Sequence, residues 1–491
     1  MTTEETTEAS CILPSPTAPR LVAKLFLATQ CMQGDALTLR HWRGGWWSHS
    51  GANWREASRD DIMARLYDFT DGAFYSNAKD EVVPWSPTKH RIANLMEALK
   101  TCCLTDDKVN PGEWLDGRAS GRIVACRNGL LDLKSRELLQ HTPWFFNLQA
   151  LTFDYDAEAT CPTWEGFMGD LWGDDDEPPM ALEEMMGCAV AGKHDLHRIL
   201  VLVGPPRGGK STIVNVFTAL VGKENTASPS LMGLADDKTL SSLIGKSLCI
   251  NGDIRATGGQ GPKIAEHLLR ISGGDSFTID RKYKEPWIGT LPVLIVQVSN
   301  ELPTIRDASG ALAKRYLPLI LRESWEGRED RSLEGRLLAE LPGILNLALE
   351  GLDAVEKSGR FTEPKASQEA VLDLAEMASP MKRFVNERLA VMPRGGDRDD
   401  YVVESGALLA AYNSWAIENH EGQIDKTRLG QRLRAVVPYC ARTQPRGEEG
   451  GRVSAYSGVR LLRGESPTLA AVSKLSLRMG HNVHVIGGGE G

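Results

Sequence analysis

Hydrophobic and polar positions change period several times along the chain, and each change marks an element. From Leu39, LRHWRGGWWSHSGANWREASRDDIMARLYDF alternates aromatic with polar residues, turns at Ser50–Asn53 and then takes a helical spacing. It predicts a short hairpin followed by an amphipathic helix. RIVACRNGLLDLKSRELLQHTP, from Arg122, predicts two strand-like runs around turn residues, the first broken at Asn128-Gly129. LWGDDDEPPMALEEMMGCAVAG, from Leu171, predicts an acidic, proline-bearing boundary and then a helix ending at Gly187. From about 196 to 323, apolar β-rich runs alternate with helical segments, the pattern of a three-layer α/β domain. From about 330 to 378 apolar residues recur every three or four positions, and Ala378-Ser379-Pro380 reads as a joint. Beyond it helices mix with a Gly-flanked strand pair and the chain turns basic.

These changes divide the chain into a tail (1–20), a mixed α+β accessory domain (21–190), an α/β core (191–325), a helical extension (326–380), a basic winged-helix-like region (381–465) and a second tail (466–491). The first 20 residues, MTTEETTEASCILPSPTAPR, are acidic and Thr-rich, and lack the basic-then-apolar layout of a secretory signal. They predict a disordered lead-in. No run of about 18 apolar residues occurs, so no membrane span is expected. The nine cysteines include no CxxC pair, which points to a reduced cytosolic protein without a structural metal. Trp42, Trp46, Trp47 and Trp54 predict a hairpin core, with a base-stacking platform as the alternative. Asp174–Glu177 predicts a solvated loop and helix start rather than a metal site.

Candidate chemistry begins at HRILVLVGPPRGGKSTIVNVFTALVG, residues 197–222. Gly204, Pro205, Pro206, Arg207, Gly208, Gly209, Lys210 and Ser211 satisfy G-x-x-x-x-G-K-[ST], with a strand before the loop and a helix, starting through Thr212, after it. Glycines there let the backbone curl its N–H groups toward phosphate oxygens at a positive helix end. Lys210 would reach the β- and γ-phosphates of ATP, and Ser211 would ligate Mg²⁺. Downstream, KSLCINGDIR ends an apolar run at Asp253, which would complete the Mg²⁺ site; a turn aspartate is the plain alternative. Asp253 follows a glycine rather than a second acid, so either it both holds metal and polarises water or Glu266 assists. TLPVLIVQVSNELP ends at Asn300, placed to sense the γ-phosphate unless it is an ordinary turn residue. Arg315, beside Lys314 and just before another apolar strand, would reach a neighbouring subunit's phosphate.

Two basic stretches point to nucleic acid. RKYKEPW puts Arg281, Lys282, Tyr283 and Lys284 between two β-like runs, which suits a hairpin tip on a phosphate backbone; a solvated turn is the alternative. Residues 426–463 carry nine Lys or Arg against two Glu, a formal +7 within a chain of net charge −9. A helix bearing Arg428, Arg432 and Arg434 ahead of a strand pair suggests a winged-helix module, against the blander reading of an interaction face.

Taken in this order, Lys210-Ser211, Asp253, Asn300 and Arg315 resemble the phosphate-loop pair, acidic motif, sensor and arginine finger of the superfamily 3 helicases of phages, plasmids and DNA viruses. RNGLLDL, HTPWFFNLQALTFDYDAEATCPTWEGFM and MMGCAVAG resemble the region ahead of the motor in phage and plasmid primase-helicases and their poxvirus-type relatives. The likeness spans roughly residues 35–465, with no convincing set of primase carboxylates. It implies an AAA+-like P-loop motor forming a homo-hexamer, with ATP between subunits and single-stranded DNA in the channel. Replication-fork DNA, a primase, polymerase or initiator supplied by another protein, and a bacterial host cytoplasm follow as expected context. The expected function is an ATP-driven DNA helicase of phage, prophage or plasmid replication. Its rivals are an origin- or DNA-end-binding ATPase switch and a small-molecule phosphotransferase, which would leave Arg315 and the basic hairpin unexplained.

Overall fold

The computed structural model describes residues 12–119, 121–252, 261–281, 286–302, 311–393, 400–419, 421–446 and 451–462, without the side chains of 375–378. The described chain forms two compact units. One comprises residues up to 302 together with 315–370, and the other 311–314 with 371–462. The stretches expected to be accessory domain and ATPase core thus lie within one unit, apart from residues 311–314.

Its N-terminal part packs three helices, Pro19–Gln30, Arg59–Thr70 and Lys89–Cys102, around Phe26, Leu66, Trp85 and Leu95. Ser58 and Thr88 cap the second and third by accepting from the backbone N–H groups of Asp61 and Arg91. The Trp-rich stretch is a three-stranded antiparallel sheet, Leu39–Trp42, Gly45–His49 and Trp54–Ala57, rather than the expected single hairpin. Arg43 at φ 45° and Gly44 at φ 74° make an additional tight turn that the aromatic alternation had hidden. Trp42, Trp46 and Trp54 are buried, which favours the core reading for those three.

A five-stranded parallel sheet organises the rest of this unit. Its spatial order is Thr226–Ala227, Leu248–Gly252, Leu294–Ser299, Ile199–Val203 and Tyr316–Ile320. One face, through Leu200, Leu202, Val296 and Leu319, packs on Ile213 and Phe217 of helix Lys210–Val221 and on Met185 and Ile344. Met185 belongs to helix Glu177–Val190, which runs three residues past its expected end at Gly187. Gly187 does not stop this helix. A Cβ there would come 1.9 Å from the Ala348 carbonyl oxygen, so glycine is what lets helix Leu341–Ser358 approach. Two further strands, Ser276–Ile279 and Trp287–Thr290, form a separate antiparallel hairpin. No helix among the described residues is long and apolar enough to cross a membrane.

The second unit runs helix Pro380–Arg388, strands Leu389–Val391 and Val402–Glu404, helices Ser405–Glu418 and Lys426–Val436, then strands Ala441–Thr443, Ala455–Ser457 and Val459–Leu461. Phe384, Tyr412, Trp415, Leu429 and Leu433 form its core. Ser379 caps its first helix by accepting from the Lys382 N–H, and Asp425 caps the Lys426 helix through the Arg428 N–H.

Candidate functional site

The segment Gly204–Lys210 joins the C-terminal end of strand Ile199–Val203 to helix Lys210–Val221. Outside the carboxyl ends of parallel strands is where open α/β sheets bind ligands. Several features fix the loop's path. A Cβ on Gly204 would lie 2.6 Å from the Leu321 carbonyl oxygen, and one on Gly208 would lie 2.9 Å from that of Pro205. Gly209 takes φ 90° where the helix begins, a value that only glycine adopts freely. Arg207 stands at φ 60°, in a region that disfavours a Cβ-bearing residue by about 1 kcal/mol. It is held there by a hydrogen bond from the Trp325 N–H to its carbonyl (3.0 Å) and by an ion pair with Glu329 (3.5 Å). The Ser324 hydroxyl donates to the Pro206 carbonyl.

Lys210 is the centre of the arrangement. The residue is 8% exposed, and its Nζ donates to Gly204 O (2.6 Å), Pro205 O (2.7 Å) and Asn300 Oδ1 (3.1 Å). Burial pulls its pKa below the ordinary lysine value. All three partners are neutral, and no carboxylate pairs with it among the described residues. A buried cation held only by neutral acceptors at a helix N-terminus fits an anion such as a triphosphate. Asn300 reaches it because Ser299 and Val203 are register partners on neighbouring strands.

The other expected residues divide by position. Ser211, on the first turn of the helix, is exposed and Thr212 half-buried, both open to a ligand at the loop. Asp253 lies outside the described residues; the strand before it ends at Gly252, paired with Val298. Glu266 is exposed, and its carboxylate lies 3.9 Å from Arg270 within its own helix. Arg315 lies at the opposite edge of the sheet: Tyr316, which follows it, pairs with Ile199 at the start of the loop strand. Five residues of strand, roughly 16 Å, separate that edge from the loop. Its guanidinium donates to Leu269 O (3.1 Å) and Ser272 Oγ (2.9 Å). Arg315 therefore does not join Lys210 and Asn300 within one chain.

Arg281 follows the first hairpin strand, while Lys282, Tyr283 and Lys284 lie outside the described residues. In the second unit Arg428 and Arg434 are exposed, and Arg432 is half-buried beside the core. Two residues escaped sequence reasoning. Asn251 and Gln297 are register partners, both fully buried, and Asn251 Oδ1 and both Gln297 amide atoms lack hydrogen-bond partners among the described residues. Gln297 inside the apolar run VLIVQVSN was the visible signal.

Comparison with known proteins bears on this geometry. Residues 23–173 match a family described as D5 N terminal like (D5_N), and residues 202–315 match a family of unknown function (DUF5906). Residues 23–173 are thus similar to the D5-type N-terminal region found in phage and plasmid primase-helicases. That match supports the superfamily 3 resemblance drawn from the motifs. Among solved structures, an apo form of the C-terminal region of NrS-1 aligns over 89% of this chain and 98% of its own, with TM-score 0.51 and 9% identity. The likeness is one of fold. A second apo form of that region gives TM-score 0.48 at 10% identity over 90% and 99% of the two chains. A JCV helicase gives 0.24 at 18% identity over 45% and 69%. Neither of these last two adds an argument.

Proposed function

We propose that this chain is an ATP-dependent DNA helicase of phage, prophage or plasmid replication that moves on single-stranded DNA as a hexameric ring. The observation that carries the reading is Lys210, buried and cationic, bound to the loop carbonyls and to Asn300 at the carboxyl edge of a parallel sheet. In this reading the AAA+-like motor binds ATP through Gly204–Thr212. Lys210 exchanges its carbonyl partners for phosphate oxygens, and Asn300 is released to bind the γ-phosphate or the attacking water. Ser211 and Asp253 would hold Mg²⁺, whose charge would offset that developing on the phosphates.

Arg315 supports the ring. It is too far from its own loop to act there, so an arginine with this role must serve a neighbouring subunit's nucleotide. Its hydrogen bonds to Leu269 and Ser272 fix where the guanidinium starts.

A second reading is a DNA-end- or origin-binding ATPase that switches assembly without unwinding. It is favoured by the second unit, whose helix–strand–strand–helix–helix–strand–strand–strand order and exposed Arg428 and Arg434 suit a winged-helix duplex binder. ATP hydrolysis by the full chain, with and without single-stranded DNA, separates the two when combined with the particle mass in ATP. Strong stimulation and a ring-sized mass are expected. A slow ATPase indifferent to single strands would move the conclusion to the switch.

A further inference from the structure

A groove of about 1170 Å³ opens within the first unit, between the D5-matched span and the span that contains the loop. Its D5 wall includes Trp47 and Arg55, and its other wall includes Lys246, Arg281 and Trp287. Small-ligand pockets run to about 1,000 Å³, so this groove is larger than one nucleotide needs.

The lining has the chemistry of a polyanion with flat bases. Four of its side chains are cationic, Arg43, Arg55, Lys246 and Arg281, against two acids, Glu56 and Glu224, in a protein whose net charge is −9. Lys246 donates to the backbone oxygen of Glu224 and has no carboxylate partner among the described residues. Arg55 does pair with Glu224 (2.8 Å), but both are largely exposed, at 57% and 70%, and such a surface pair gives way to a phosphate at little cost.

Both half-buried tryptophans are held in place. Trp47 Nε1 donates to Trp42 O (3.3 Å), and its ring meets Trp42 and Phe146 edge-on. Trp287 lies across Gly289, where a Cβ would come 2.7 Å from its Cζ2, so the glycine gives the indole a flat seat on the strand. Fixed aromatic faces beside cations are how sequence-tolerant single-strand sites are built. Trp287 and Arg281 belong to the hairpin region that the motor reading assigns to DNA.

We propose that this groove binds a segment of single-stranded DNA several nucleotides long. Phosphates lie against Arg55, Lys246 and Arg281, and bases stack on Trp47 and Trp287. The proposal rests on the motor reading and adds a DNA contact made jointly by the D5-type region and the ATPase part.

The test uses the full chain and a 5-iodouracil-substituted oligothymidylate. Photocrosslinked peptides are mapped by mass spectrometry, and affinity is measured by anisotropy across a salt series. Crosslinks at Trp47 or Trp287 are expected. Lys246→Glu should weaken binding about tenfold and lower the salt slope by about one or more. Trp287→Ala should weaken binding without changing that slope. Crosslinks confined to other residues, with Lys246→Glu binding like the parent, would overturn the groove while leaving the motor reading intact. An unmodified chain that binds no single-stranded DNA would overturn both. A protein segment as the true occupant would show as unchanged DNA binding in both variants, and that too rejects the proposal.

Discussion

Lys210 shows how much one residue's surroundings decide. Its ammonium is buried against three neutral acceptors, so the loop holds a cation that no carboxylate pairs with among the described residues. Lys210→Ala should therefore abolish turnover, by about a hundredfold or more, with little loss of melting temperature. ATP hydrolysis and a thermal melt check both halves, and persistent turnover would remove the loop from the mechanism. Glu183 illustrates the opposite case, a carboxyl made uncomfortable by its setting. Burial, assisted by Glu350, Glu165 and Glu184 and opposed by the Trp164 indole N–H, raises its pKa from 4.5 to about 7. Between those values the folded chain holds a proton that the unfolded chain has lost, so stability falls as pH rises through that window. The effect reaches at most about 3 kcal/mol by pH 8. Glu183→Gln should melt higher than the parent at pH 8 and match it near pH 4.5; equal melts at both pH values would refute the shift. Lys210 was legible in the sequence because its motif is a local constraint of eight residues. Glu183 was not, since its neighbours Trp164 and Glu350 come from other helices, and nothing in the helical spacing of EEMMG announces them.

At the scale of elements, glycine spacing does what the hydrophobic pattern could not reveal. Helices Glu177–Val190 and Leu341–Ser358 cross in contact: Gly187 faces Ala348 O, and a Cβ on Gly351 would lie 2.7 Å from Glu184 N. Sequence periodicity marked both segments as helical. It also took Gly187 for a terminator, because an isolated glycine near a helix end usually is one. The tertiary approach explains the residue instead. Gly187→Ala should force the helices apart and destabilise the first unit by about 1–3 kcal/mol or more. A melt within 0.5 °C of the parent would show that the crossing tolerates a methyl. The strand–loop–helix unit was readable for the reason that its residues are contiguous. The order of the sheet was not, because it places the last strand in sequence, Tyr316–Ile320, next to the first, Ile199–Val203.

That order carries the argument to the whole molecule. Because the two strands are parallel and in register, Arg315 and the Gly204–Lys210 loop are fixed at opposite edges of one sheet, and no side-chain rotation brings them together. If Arg315 stabilises transition-state charge, it does so on another copy. Arg315→Ala should then lose hydrolysis by about 10³-fold or more, the scale of an arginine finger. Mixing it with an Asp253→Ala chain, also inactive alone, should restore activity, because mixed assemblies pair an intact loop and acid with an intact arginine across some boundaries. Restored turnover that rises and falls with the mixing ratio would establish a shared site; two inactive proteins that stay inactive at every ratio would refute it. The second unit takes a separate test. Arg428 is 67% exposed and Arg434 is exposed on the same helix, so reversing both leaves the core of Leu429 and Leu433 untouched. If this helix reads duplex through its phosphates, Arg428→Glu with Arg434→Glu should cut the salt slope of duplex binding by about two and leave single-strand-stimulated hydrolysis in place. An unchanged slope would reassign the basic helix to a protein partner, and the charge segregation along the chain would then reflect assembly rather than DNA.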